Sequence, residues 1–357
     1  MTRRTLAEAF DPRANSLNLL RLLFAALVLV SHSFPIGGFA GEPMLGGGSL
    51  GAFSVDAFFV ISGFLITRSW LTSASAGRYL WRRFLRIFPG YWVCIVVTSL
   101  VLVPAILIGE GHHVSAPYTN GSVGHWAVAN SVVYIDPSIR GVLRTAPLAG
   151  VINGSLWTLG WEFACYLGIA ALGLLGILRQ RRTMVLLTAA FLAVDAALWA
   201  GHGGPLSGFY PATAARFGLL FLSGALVYLF ADRLSASSGW AAAAALALGG
   251  SLTLGDYRVI GALPLAYLCI WLGATLPFHS VGRTTDLSYG IYIYAFPLQQ
   301  LLAVDGLAGT NPVVFMVASI LLASTVAWAS WHLVERRAMA LKDWSPRANP
   351  AVEQAAL

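Results

Sequence analysis

A chain of 357 residues, 57% of them hydrophobic and only 10% charged, lies far from the roughly 25% charged residues of soluble domains. Together with a mean hydropathy of +0.73, this excludes an ordinary soluble enzyme. The net charge of +7 would suit a nucleic-acid binder, but it is almost wholly arginine, Lys342 being the only lysine, and the arginines cluster between apolar segments as in the cytoplasmic loops of membrane proteins. The expectation is therefore an all-α, polytopic integral membrane bundle with no nucleic-acid partner, surrounded by membrane lipid.

The first sixteen residues, MTRRTLAEAFDPRANS, are polar and carry no small-residue cleavage site beside a short apolar core. They are expected to form a cytoplasmic N-terminal segment rather than a removable signal peptide. Apolar stretches near 20 residues follow at about 17–37, 49–71, 87–109, 155–178, 183–200, 210–231, 239–255, 258–277, 286–305 and 312–334, ten candidate spans in one transmembrane domain over 17–340. Every second loop is basic: Arg3, Arg4 and Arg13 precede the first span, Arg78, Arg82, Arg83 and Arg86 follow the second, and Arg179, Arg181 and Arg182 follow the fourth. Arg233, Arg283 and the cations of the tail, Arg336, Arg337 and Lys342, continue the pattern. An even count with both termini cytoplasmic, the tail being 341–357, satisfies the positive-inside rule.

The long segment 110–154 is expected on the outer side. Its apolar piece, VGHWAVANSVVYI at 123–135, is too short to span and reads as an interfacial or re-entrant helix. Cys94, Cys165 and Cys269 all lie in apolar runs, where a thiol packs as a small hydrophobe. The spacings fit no metal site, and none is expected.

Three clusters carry the candidate chemistry. In the first span, Arg21 and His32 are eleven residues apart. That is about 20° past three full turns and about 16 Å of rise, so both lie on one helical stripe. Counted from the outer ends of their spans, His32, Asp56 and Glu162 reach similar depths. Ionisable groups at one level in hydrocarbon are expected to meet in the bundle interior, where an acid beside an imidazole would tune it as a base; a buried ion pair that fixes helix register is the plainer alternative. The second cluster is RYLWRRFLRIFPGYW at 78–92. Arg83 and Arg86 are neighbours on one helical face and suited to phosphates, while Tyr91 and Trp92 are candidates to stack on a base or line an acyl channel. Cytoplasmic arginines and interfacial aromatics are also ordinary at the end of any span. The third is NGSLWTLGWEFACYL at 153–167, where Trp157 and Trp161 share a face as either an interfacial belt or a sugar-stacking wall.

At these clusters the sequence resembles the membrane acyltransferase-3 family. Arg21 and His32 meet its first-span pattern, FSVDAFFVISGFLITRSW at 53–70 its second-span signature, and Arg83-Phe-Leu-Arg86 its Arg-x-x-Arg motif. SLWTLGWEFACY at 155–166, DLSYGIYIYAFP at 286–297 and HLVERR at 332–337 follow in the family order. The sequence departs from the pattern at Ala295, where many members have a histidine and where Gln299 and Gln300 stand nearby.

The resemblance implies a ten-span O-acyltransferase of the bacterial inner membrane, with acyl-CoA, acetyl-CoA foremost, as donor and a glycan or lipid-linked sugar as acceptor. Arg83 and Arg86 would hold the donor phosphates and Arg21 the thioester arm. His32 would act as base or as transient acyl carrier, oriented by Asp56 or Glu162. The rival reading is a proton-coupled secondary transporter, since intramembrane His, Asp and Glu also suit a proton relay; no pair of matching broken segments in two halves points that way.

Overall fold

The computed structural model describes residues 4–132 and 136–343. Ten long helices lie on the ten expected stretches: α1 (Leu17–Ile36), α2 (Leu50–Leu71), α3 (Ala76–Gly109), α4 (Trp157–Leu174), α5 (Arg181–Trp199), α6 (Phe209–Leu229), α7 (Ser238–Ser251), α8 (Arg258–Thr275), α9 (Ser288–Leu302) and α10 (Pro312–Ser330). Among the described residues, eight are long and apolar enough to cross a bilayer. The other two, α7 with 14 residues and α9 with 15, fall short of the roughly 20 that a crossing takes. In α9 every residue from Ser288 to Gln300 is buried. A helix apolar all round packs within protein, and α9 is enclosed by α1 and α10.

Helix α3 begins well before the expected 87, because Ser75 caps it with its hydroxyl, accepting the Arg78 N–H at 3.2 Å. The basic stretch is thus helical and continuous with the span. Pro104 has no N–H to offer one turn back, and the helix widens into a π turn at Thr98–Leu102 just ahead of it.

Hydrogen bonds between segments far apart in the chain define two ends of the bundle. At one, Leu6 N–H donates to Leu234 O (2.8 Å), Ser16 N–H to Gly273 O (2.7 Å) and Arg82 to Asp343 (2.8 Å). This end also carries Arg13, Arg78, Arg179, Arg181, Arg182, Arg233, Arg283, Arg336 and Arg337. The expected terminal segments 1–16 and 341–357 are described here from residue 4 and up to residue 343; their remaining residues lie outside the described ones.

At the other end a hairpin, Met44–Leu45 paired with Gly48–Ser49, turns through Gly46 and Gly47 at φ of 59° and 79°, the left-handed pair that a tight hairpin turn requires. A Cβ on Gly47 would stand 1.8 Å from the Gly255 carbonyl oxygen. The segment 110–154 folds back over this hairpin end. Its helix Ser122–Ser131 stops after ten residues, and residues 133–135 of the expected apolar piece lie outside the described residues.

Helices α2 and α6 form the tightest crossing in the bundle. A Cβ on Gly63 would meet Phe221 O at 1.9 Å, and one on Gly224 would meet Val60 O at 2.0 Å. Small residues let two backbones touch, the usual means of close helix packing in lipid.

Candidate active site

Helix α1 supplies both Arg21 and His32. Gln299 of α9 holds its outer half in place, donating to Leu29 O (3.0 Å) and Ser33 Oγ (2.7 Å). The His32 ring stands edge-on to Phe296 at 5.1 Å between centroids, and its Nδ1 is buried without a hydrogen-bond partner. The imidazole lines a cavity of about 250 Å³ at the hairpin end, together with Glu42, Trp157, Thr158, Arg216 and Tyr292.

The carboxylate facing His32 is Glu42, from the glycine-rich loop after α1. It accepts from Ser31 Oγ at 2.6 Å, and the same hydroxyl accepts the Gly51 N–H at 2.9 Å. Neither Asp56 nor Glu162, the carboxylates expected to orient His32, lines this cavity.

Asp56 is buried and faces the other way. Its Oδ1 accepts from Arg216 Nε (2.8 Å), and its Oδ2 accepts from Arg258 Nε (2.6 Å) and the Tyr257 hydroxyl (2.7 Å). It is thereby the anion that ties α2 to α6 and α8. Glu162 accepts from Ser62 Oγ (3.1 Å) and closely from the Tyr166 hydroxyl.

Glu162 and Arg21 line a second, narrow cavity of about 30 Å³. Val55, Thr158 and Tyr292 line both this space and the His32 cavity, and the Thr158 and Tyr292 hydroxyls lie 2.5 Å apart between the two. On its far side the His32 cavity shares Val151, Gly154 and Trp157 with a third space of about 370 Å³, into which Tyr91 and Phe209 project. That space shares Asp136 with an outermost cavity of about 790 Å³.

At the arginine-rich end, Asp286 binds two guanidiniums, Arg86 Nη2 at 2.5 Å and Arg21 Nη1 at 3.2 Å, while Ser288 donates to its other oxygen from both N–H (3.1 Å) and hydroxyl (2.6 Å). The two guanidiniums and the Ser288 donors together satisfy the buried Asp286 carboxylate. The expected pair of phosphate-binding arginines is therefore split. The charge of Arg86 is met within the fold, whereas Arg83, its guanidinium 6.0 Å from the Tyr166 ring centre, forms no ion pair among the described residues.

Tyr91 and Trp92 are likewise displaced from a donor site. They project toward the hairpin end, where the Tyr91 hydroxyl donates to Asn130 O (2.7 Å) and Trp92 Nε1 to Ser131 O (3.0 Å). They staple the outer segment to α3. Of the two tryptophans in α4, Trp157 lines the His32 cavity, while Trp161 faces a separate apolar groove with Phe217 and Cys165.

Glu42, Thr158, Arg216, Tyr292 and Asp286 are site residues that spacing alone did not single out. Arg216 carried a signal all the same, as a cation seven residues into an apolar helix.

An apolar bundle whose polar interior opens through successive cavities is the form of a multi-pass membrane protein that handles a molecule within its own thickness. A profile described as an acyltransferase domain matches residues 14–332, and the chain belongs to the membrane acyltransferase-3 family. It is 27% identical to an O-acetyl transferase of Shigella phage Sf6, over 91% of this chain and 96% of that protein. It is 29% identical to nodulation protein 10 of Rhizobium leguminosarum bv. viciae, over 92% of this chain and 94% of that protein. No solved structure matches it. The protein is thus a membrane O-acyltransferase for groups other than aminoacyl groups, which sets the transporter reading aside.

Proposed function

We propose that this enzyme takes an acetyl group from acetyl-CoA at the arginine-rich, cytoplasmic end of the bundle and places it on a sugar hydroxyl of a glycan at the hairpin end, in the bacterial inner membrane. The observation that carries this reading is the row of cavities, with Arg21 and Glu162 on one side of the Thr158–Tyr292 contact and His32 on the other. Arginines crowd one end of the bundle, as they do on the cytoplasmic side of membrane proteins.

Arg83 holds a donor phosphate through a charge-assisted contact. Arg86, fixed by Asp286, shapes the mouth, and Arg21 lies along the thioester arm, whose acyl end reaches past Tyr292 toward His32. The acceptor sugar rests against Trp157 and the aromatic groups of the neighbouring cavity.

The Nδ1 of His32 is enclosed, so Nε2 takes the proton of the acceptor hydroxyl. The sugar oxygen attacks the thioester carbonyl, the carbon–sulfur bond breaks and the CoA thiolate leaves; the His32 imidazolium gives up its proton to water and the thiolate takes one up, so the base is restored. Glu42 favours the imidazolium so formed.

The test is acetyl-CoA consumption and free thiol release by detergent-purified protein given bacterial glycan fractions, with mass spectrometry of the glycans. An acetyl group added to sugar in step with thiol release is expected. Thiol release with no acylated sugar would move the acceptor to another class, and no thiol release would remove CoA as the donor carrier.

A further inference from the structure

We infer that Tyr292, latched to Thr158, is the aperture between donor and acceptor chambers and limits the size of the acyl group that the enzyme transfers. The inference rests on the donor and acceptor sides assigned above. Tyr292 projects from buried helix α9, its ring edge-on to Phe58 at 5.8 Å between centroids. Its hydroxyl meets Thr158 Oγ1 at 2.5 Å, and the same Thr158 oxygen reaches back to Ser155 O at 3.1 Å within its own turn. The tyrosine is thus fixed at both ring and hydroxyl.

Together with Val55, these two side chains are the lining that the cavities of about 30 and 250 Å³ have in common. No charge stands in the opening, so passage is decided by bulk. The chamber on the Arg21 side is the narrower, about 30 Å³ against about 250 Å³ on the His32 side. An acyl group that reaches His32 from the Arg21 side must slide past the Tyr292 ring, and each added methylene meets that ring before it meets the roomier space. Steric selection of this kind discriminates by about 10- to 200-fold per misfit group.

The test compares acetyl-, butyryl- and hexanoyl-CoA as donors, reading the ratio of kcat/KM for hexanoyl to acetyl in wild type, Tyr292→Leu, Thr158→Ala and Tyr292→Phe, with a melting curve for each. The ratio should rise about tenfold or more in Tyr292→Leu and less in Thr158→Ala, which frees the latch but keeps the ring. It should rise by a similarly small amount in Tyr292→Phe, which also frees the latch and keeps the ring. Should Tyr292→Leu fail to fold, Thr158→Ala carries the reading. An unmoved ratio in variants that still transfer acetyl would overturn the aperture and leave the donor assignment standing. No CoA consumption by wild type would instead overturn that assignment, and the aperture with it.

Discussion

His32 and Asp56 are both ionisable groups set among apolar helices, but they keep different company. The imidazole has a cavity on one side and a buried, unpartnered nitrogen on the other, whereas the hydrogen-bond partners of Asp56 among the described residues are donors of the fold itself, two arginines and a tyrosine. Substitution should separate the two. His32→Ala should lower acyl transfer by about 10²- to 10⁴-fold, the usual cost of removing a positioned base, with acyl-CoA binding and melting temperature nearly unchanged. Glu42→Gln should lose activity, though less than His32→Ala, since it removes the carboxylate that shares the imidazole's cavity, and should add little to His32→Ala because the two act as a unit. Asp56→Asn leaves a buried cation, Arg258, and a half-buried one, Arg216, short of their anion and should destabilise the fold by about 3–5 kcal/mol. Transfer assays and melting curves on the purified variants read both quantities. An active His32→Ala, or an Asp56→Asn that melts like wild type, would reverse the roles given to these residues.

The helices were legible from apolar length alone, because a bilayer demands it, and the first turn of each followed within a few residues except in α3. There the cap lay ahead of a basic stretch that apolarity could not read as helix. Counting depth placed His32, Asp56 and Glu162 at a similar level, yet depth says nothing about which face of a helix turns toward which neighbour. The same count applied to cations would have set Arg216, seven residues into α6, opposite Asp56, six residues into α2. Glu42 had no such handle, since it sits in a loop without periodicity and comes to line the His32 cavity only through the way that loop folds. At the α2–α6 crossing, Gly63→Ala and Gly224→Ala should each destabilise by about 1–3 kcal/mol, as overpacking does, because the intruding methyl meets backbone carbonyls that cannot swing aside. Thermal unfolding in detergent measures this; a neutral Gly63→Ala would mean that the two helices part without cost.

For the whole molecule, the segregation of arginine to one end makes an orientation testable. Single cysteines introduced at Gln180 and Gly204, in a background lacking Cys94, Cys165 and Cys269, should differ in intact cells, the first protected from an impermeant thiol reagent and the second labelled. Labelling at Gln180 would invert the bundle and exchange donor and acceptor sides. The hairpin end carries a further consequence, for the making of the protein. The loop that brings Glu42 to His32 is clasped from far along the chain: Gly47 abuts Gly255, Tyr257 N–H donates to Gly46 O at 3.4 Å, and Gly309 N–H donates to Gly37 O at 2.8 Å. Synthesis runs from the N-terminus, so the histidine is threaded into the membrane long before the residues that complete its surroundings leave the ribosome. A nascent chain therefore carries an unfinished centre through most of its insertion, and becomes competent for acyl transfer only when nearly the last helix is in place.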